Sequence, residues 1–282
     1  MTPRPRPLDR HDPAMNSKPR LRIGIPGDYL PGGIIDENSP AGFSGHDIDL
    51  ALALCREAGL APVFVLTSWP EIFRELEAGR FDVAAGGVSW NHERVRRFDD
   101  LPRYAPFAKV ALIRREQAGR FRTPEDLNQP GVRVIKNPGG TNEQFVDEHL
   151  FRCQVTMVAD NASIPARIAS EIGDVMITDS FEARWYAARD VRLTLALGGQ
   201  GLTPKSWKTM LIRRCARMPV LPGADEAKAP LLAPRLLAAW GRLERAGVLA
   251  ELDLDSTDQE TLCGLVEIVT SEDTYAAAPH TP

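Results

Sequence analysis

Apolar positions along this chain alternate between two spacings. "LRIGI" (Leu21–Ile25) is an apolar run of strand length that leads into a loop at Asp28 and Tyr29. "HDIDLALALCREAG" then places Ile48, Leu52 and Cys55 on one helical stripe, which Gly59 stops. "PVFVLT" returns to a β-rich run, Trp69-Pro70 follows it, and a short helix through Leu76 ends at Gly79. "FDVAAGGV" reads as the next strand and gives way to a polar turn with His92, Glu93 and Arg94. Strand and helix alternate with short connections, the pattern of a mostly parallel sheet covered by helices.

"PFAKVALIRR" is a further extended run, and after it the alternation restarts. "TPEDL" opens a helix, "GVRVI" is a strand, and "NPGGTNEQFVDEHL" is a glycine turn into a helix. "QVTMV", a helix near Ile164 to Ile172, "VMIT" and a helix from Ser180 complete a second set. "WKTMLIRR" is extended again, and "LLAPRLLAAWGRLERAGVLAEL" is strongly helical despite Pro234. The second set is nested inside the first, so the expected architecture is α/β, with two lobes joined by two crossing strands around a central cleft. One lobe takes residues 21–112 and 204–254, the other 113–203, with loose tails at 1–20 and 255–282. Ligands of such sheets bind beyond the carboxyl ends of the strands. Asp28, Ser89, Asn137 and Asp179 all fall at such ends.

Composition narrows the choice of partners. The chain is 43% hydrophobic and 26% charged, enough for a sizeable core, and its net charge of −4 argues against a nucleic-acid footprint. No apolar stretch approaches membrane-spanning length. The four cysteines are scattered without metal spacing and read as free and buried; the five histidines lie too far apart for a metal site. "GGQGLTP" lacks the third glycine of a dinucleotide fingerprint, and no Gly-Lys-Ser/Thr follows "NPGGT", so no cofactor is expected. The proline- and arginine-rich start, "MTPRPRPLDRHDPAMNSKPR", has no apolar signal core, which predicts a cytoplasmic location, while Met15 leaves a different start open. A homo-oligomer also stays open.

Several residues carry more than one reading. In "NPGGTNEQF", Thr141 and Gln144 can form a capping box, and the amides of that first turn can equally receive an anion. Arg94 either forks onto a ligand carboxylate or joins Arg96 and Arg97 on a solvated face. Lys109, alone in "PFAKVALI", is either an edge residue with its head in water or a cation aimed into the cleft. Trp69 is core or a wall for a ring-shaped ligand. In "VMITDSFEAR", Asp179 suits an N-cap, and Glu182 is a first-turn acid, a ligand clamp or a proton donor.

Together "GDYLP", "TSWPEIF", "NHER", "NPGGTNEQF" and "TDSFEAR" resemble the cyclohexadienyl dehydratases, enzymes on the amino-acid-binding scaffold of solute-binding proteins, from about Leu21 to Leu254. The resemblance implies a type II periplasmic-binding-protein fold closing on a small dicarboxylate. It implies loss of water and carbon dioxide from prephenate to give phenylpyruvate, or from arogenate to give phenylalanine, without metal or cofactor. By this likeness Arg94, helped by Ser89 and Thr141, holds a substrate carboxylate; Lys109 and Asn137 line the reacting end, Trp69 packs on the ring, and Glu182 is the general acid. Asp28, Tyr29 and Asp179 join the substrate-binding set. The likeness also implies a periplasmic location if the true start lies upstream. Gly86, Gly32 and His46 depart from the family pattern and suggest a looser cleft. The competing reading is a non-catalytic amino-acid receptor for a transporter, which needs Arg94 for the carboxylate and Asp179 for the ammonium but no acid at position 182.

Overall fold

The computed structural model describes residues 18–249. The expected tails, Met15 and Cys263 lie outside or almost wholly outside that span. Two five-stranded sheets form the frame. In the first, the order is Ala61–Leu66, Arg20–Ile25, Val83–Ala84, Leu211–Ile212 and Asp99–Asp100. Its first three strands are parallel and Leu211–Ile212 runs against them. In the second, the order is Gln154–Met157, Arg133–Lys136, Val175–Asp179, Lys109–Arg114 and Leu193–Leu195. Again three strands are parallel and the next, Lys109–Arg114, is antiparallel. In each sheet, the antiparallel strand is the one that arrives from the other lobe.

The two crossing segments pair where they pass, Ser206–Trp207 antiparallel to Pro106–Phe107. Because Lys109–Arg114 belongs wholly to the second sheet, we place the outward crossing just after Phe107, ahead of the switch at 112/113 expected from the sequence. All six residues of that strand are buried, which explains its near-continuous apolar run.

Local grammar accounts for the helices. His46–Ala58 ends at Gly59 in the left-handed conformation, the stop its sequence predicts. Leu232–Arg245 tolerates Pro234 because it falls in the first turn, where the amide has no intrahelical partner to lose. Its buried positions Leu232, Leu236, Ala239, Trp240 and Leu243 form one stripe against Ile48, Leu54 and their neighbours in the first lobe's core. The run "FDVAAGGV" pairs only at Val83–Ala84. Gly86 and Gly87 then turn the chain with positive φ. Cysteines depart from expectation: Cys55 is buried, Cys153 half-buried and Cys215 exposed, all three free.

Each lobe carries the same ionic staple at the end of its sheet away from the cleft. Asp82, just before Val83, accepts from Arg22 Nη2 at 2.8 Å and from Arg213 Nη2 at 3.5 Å. Asp174, just before Val175, accepts from Arg133 Nη2 at 2.8 Å and Arg114 Nη2 at 2.9 Å. The second staple is the drier one, since Asp174 and Arg114 are both buried. Burial of Asp174 opposes ionisation, but hydrogen bonds from Arg133 and Arg114 outweigh it and hold the carboxyl well below the usual carboxylate range. A depressed carboxyl stabilises the fold above its unfolded value, and that stability is lost as pH falls through the folded one. Asp174→Asn, by removing the buried counter-charge of Arg114 and leaving it only the exposed Glu116, is expected to lower the unfolding free energy at pH 7 by about 3 kcal/mol. In urea titrations the deficit should shrink only below about pH 4, where the unfolded carboxylate takes up its proton.

Candidate functional site

Loops at the carboxyl ends of both sheets meet between the lobes. Tyr29, Trp69, Ser89 and Arg94 line the meeting point from the first lobe, and Asn137, Thr141 and Asp179 from the second. The space they enclose is only about 20 Å³, room for a single water, so the lobes are shut. One glycine makes the closure possible. Gly139 has φ +87, and a Cβ there would lie 2.3 Å from Pro70 N, so only glycine lets the "NPGG" turn seat on Trp69-Pro70. The aromatic cluster of Tyr29, Trp69, Phe107 and Phe181 spans both lobes around it.

The centre of the site is Asp179, 1% exposed. It occupies the N-cap position of the helix Ser180–Arg189, yet its side chain makes no capping bond. Lys109 Nζ reaches its Oδ1 at 2.6 Å, Lys208 Nζ reaches its Oδ2 at 2.6 Å, and the Tyr29 hydroxyl donates to Oδ2 as well. Burial alone would protonate Asp179, but the two lysines more than reverse this and keep it ionised, well below the usual range. Burial also lowers the Lys109 ammonium, and Asp179 works against that loss. The edge-residue reading of Lys109 is therefore excluded: its ammonium is buried against Asp179, Thr141 and Asn142, behind the lining of the space and away from water.

The capping box expected at Thr141 does not form. Gly140 is the N-cap of the helix Thr141–His149, with no side-chain capping bond. The Thr141 hydroxyl instead accepts from Lys109 Nζ at 2.8 Å, and Gln144 turns to Glu148. The buried ammonium is the stronger donor, and it takes the oxygen that local grammar assigns to the backbone. Lys109 also donates to Asn142 Oδ1.

Arg94 sits in a short helix, His92–Arg97, where the sequence suggested a turn. It is buried while Arg96 and Arg97 are exposed, which removes the solvated-face reading. Its guanidinium stacks on Phe73, 4.3 Å from the ring centroid, and Nη1 donates to Ser89 O. Burial lowers its pKa to about 10, so it remains a cation. Trp69 packs in the shared aromatic cluster, its core reading, and also lines the space. Asp28 does not line the space; it accepts from Trp69 Nε1 at 2.8 Å and from Asn161 N at 3.1 Å, holding the indole in place.

Glu182 is 0% exposed. Asn161 Nδ2 donates to its Oε1 at 2.7 Å, and its other oxygen shares a hydrogen bond with the Thr178 hydroxyl. Burial pushes its carboxyl up to about 8; Asp179 adds to the rise, and the bonds from Thr178 and Asn161 oppose it. At that value the side chain is roughly nine-tenths protonated at pH 7, against roughly 0.2% at an ordinary glutamate pKa. In the shut state Glu182 is not part of the lining; it lies behind Tyr29 and Asp179, both of which sense its charge.

Three participants were missed by sequence reasoning. Lys208 lines the space, 1% exposed, and donates to Gly87 O at 2.6 Å and Ser89 Oγ at 3.1 Å as well as to Asp179. Its signal was the same as that of Lys109, a lone lysine in an extended apolar run on a crossing segment. Asn161 and Asn142 gave no comparable signal. Of the departures from the family pattern, Gly86 and Gly32 are outside the lining, and His46 is buried. No group of side chains suited to a metal ion occurs among the described residues. A larger concavity, about 980 Å³, lies on the outer side of the first lobe between Lys18, Arg213 and Leu221, and shares no residue with the cleft.

Residues 21–257 match the family described as bacterial extracellular solute-binding proteins, family 3. A cyclohexadienyl dehydratase of Pseudomonas aeruginosa is 38% identical over 165 residues, 58% of this chain and 60% of that protein. The L-cystine-binding protein TcyJ of Escherichia coli is 25% identical over 141 residues, 50% of this chain and 52% of that protein. The chain thus spans between about half and three fifths of the length of these relatives. Among solved structures, an ancestral amino acid-binding protein described as a precursor of cyclohexadienyl dehydratase superposes with a TM-score of 0.70 at 28% identity, covering 83% of this chain and 93% of that one. The cytoplasmic expectation finds no support in a family described as extracellular; no helix among the described residues is long and apolar enough to cross a membrane. By fold and by sequence, this chain belongs to the bacterial extracellular solute-binding proteins of family 3, with their two-lobed type II architecture.

Proposed function

We propose that the protein is a cofactor-independent dehydratase of the cyclohexadienyl type, acting on a small cyclohexadiene dicarboxylate. The observation that carries this reading is Glu182, fully buried with its carboxyl raised to about 8. A binding protein has no need of a neutral acid there. A dehydratase does, because hydroxide is a poor leaving group and leaves readily only when protonated.

The reaction balances on this side chain alone. Glu182 gives its proton to the ring hydroxyl, the C–O bond breaks, and water leaves. The bond between ring and carboxylate breaks, carbon dioxide departs, and its electron pair completes the aromatic ring. Glu182 is left as a carboxylate and takes a proton from solvent before the next cycle. Arg94 and the amides opening the helix Thr141–His149 are the natural seat of the side-chain carboxylate, with Ser89 and Thr141 beside them. Trp69 faces the ring, and Lys109 and Asn137 border the reacting end. Since the shut cleft admits only a water, the lobes must part for substrate and reclose around it, bringing its hydroxyl past Tyr29 to Glu182.

The relatives named as amino-acid-binding proteins support a second reading, a non-catalytic receptor on the same fold. Purified protein incubated with prephenate at pH 7 separates the two. We expect phenylpyruvate to form, and Glu182→Gln to reduce kcat at least about 100-fold. Absence of turnover on prephenate and arogenate, with tight amino-acid binding, would establish the receptor.

The pH profile is a further check. A general acid works only while protonated, so kcat should hold through neutral pH and fall tenfold per unit as pH rises beyond about 8. A fall already complete by pH 6 would show that Glu182 carries an ordinary carboxyl.

A further inference from the structure

We propose that the basic concavity on the outer side of the first lobe is the seat of this chain's own acidic carboxyl-terminal segment, residues 258–273. The inference stands apart from the dehydratase reading, because the concavity shares no residue with the cleft.

The concavity is large, about 980 Å³, and its wall is cationic. Lys18, Arg20, Arg22, Arg213 and Arg217 line it against two acids, Asp82 and Glu226. Asp82 is already committed, since Arg22 Nη2 and Arg213 Nη2 both donate to it. Three positive charges are thus left over around one hollow, on a chain whose net charge is −4. The buried Nε of Arg213 finds no acceptor among the described residues, so the wall is short of acceptors as well as of anions. One side of the hollow is apolar: Met218 and Val220 are half-buried, and Leu221 is exposed. Such a hollow fits an anion that also carries apolar groups.

The chain contains a segment of that kind. Between residues 251 and 282 it has eight acidic residues and no lysine or arginine. Leu262, Leu265, Val266, Ile268 and Val269 lie between an acidic flank at Asp258 and Glu260 and another at Glu272 and Asp273. An apolar centre with acidic flanks is the complement of an apolar side with a cationic rim. The segment also sets out from the right lobe. Val248 and Leu249 pack on the first lobe's core cluster, as the wall residue Met218 does. From Leu249 to Leu262 the chain can extend roughly 40 Å, enough to cross a lobe. The amino-terminal residues, although they join the wall at Lys18, match it less well. Residues 1–17 hold three arginines against two aspartates and would bring positive charge to a positive wall. The family match ends at residue 257, so the occupant lies beyond the part of the chain matched to the family.

Hydrogen–deuterium exchange of the full chain, read by mass spectrometry on peptides from 258–273, tests the seat. At low ionic strength we expect exchange at least about tenfold slower than for the same peptide free in solution, since several ion pairs act together with apolar contact. Reversing the wall with Lys18→Glu and Arg217→Glu should abolish the protection. Reversing the tail instead, with Asp258→Lys and Glu260→Lys, should abolish it without touching the lobe, and combining the two sets should restore it. Cys215, an exposed free thiol on the wall, reports on the place of docking. Its alkylation by iodoacetamide should speed up in the tail variant by the factor that the exchange does. Free-peptide exchange in wild type overturns the proposal, as does protection that survives reversal of the tail; the tail variant decides even if the wall variant does not fold. Loss of protection with Cys215 alkylation unchanged puts the seat elsewhere and overturns it too. Protection that grows with protein concentration assigns the hollow to a second copy and overturns the intrachain seat.

Discussion

One buried carboxylate organises this cleft. Asp179 stands at the carboxyl end of the central strand of the second lobe, and the two cations that neutralise it come from the two crossing segments. Lys109 follows the outward crossing and Lys208 the return, so a single ion cluster ties the hinge strands to the second lobe's site. Tyr29 brings the first lobe into the same cluster. Removing Asp179 would leave two buried ammonium groups without their counter-charge, which is why the arrangement is costly to break.

That cluster also explains how an acid and a base-like carboxylate coexist on one helix turn. Asp179 and Glu182 share a strand-to-helix junction, yet their proton affinities are pushed in opposite directions. Asp179 keeps both lysines and stays ionised; Glu182 is buried with Thr178 and Asn161 and gains affinity from the charge of Asp179. Environments that drive neighbouring titratable groups apart are how one site supplies both a fixed charge and a proton.

Much of this was legible in the sequence, for physical reasons that also mark where legibility ended. The strands and helices follow from apolar spacing, and the nesting of one βα set within the other implied two lobes with a cleft. The strand ends at Asp28, Ser89, Asn137 and Asp179 are where such sheets concentrate ligands, although Asp28 acts through Trp69 rather than on the space itself. Thr178 and Glu182, four residues apart at a helix start, could be read as neighbours. Lys208 could not be paired with Asp179 from the chain alone, because that contact joins segments brought together only by the lobes. The capping box at Thr141 was locally sound and lost to Lys109, a long-range competitor that local rules do not contain. Asn161 contributes from a short 3₁₀ turn with no motif, and only the folded chain reveals it.

The central claim is that Glu182, buried behind Tyr29 and Asp179, holds a proton at neutral pH while the cleft is shut. Site-resolved carbon NMR of the glutamate carboxyls, assigned by comparison with Glu182→Gln and followed from pH 4 to 10, measures this directly. The account predicts a Glu182 carboxyl that titrates with a midpoint near 8. A midpoint near 4.5, with the protein folded throughout, would leave the site without its proton source and contradict it.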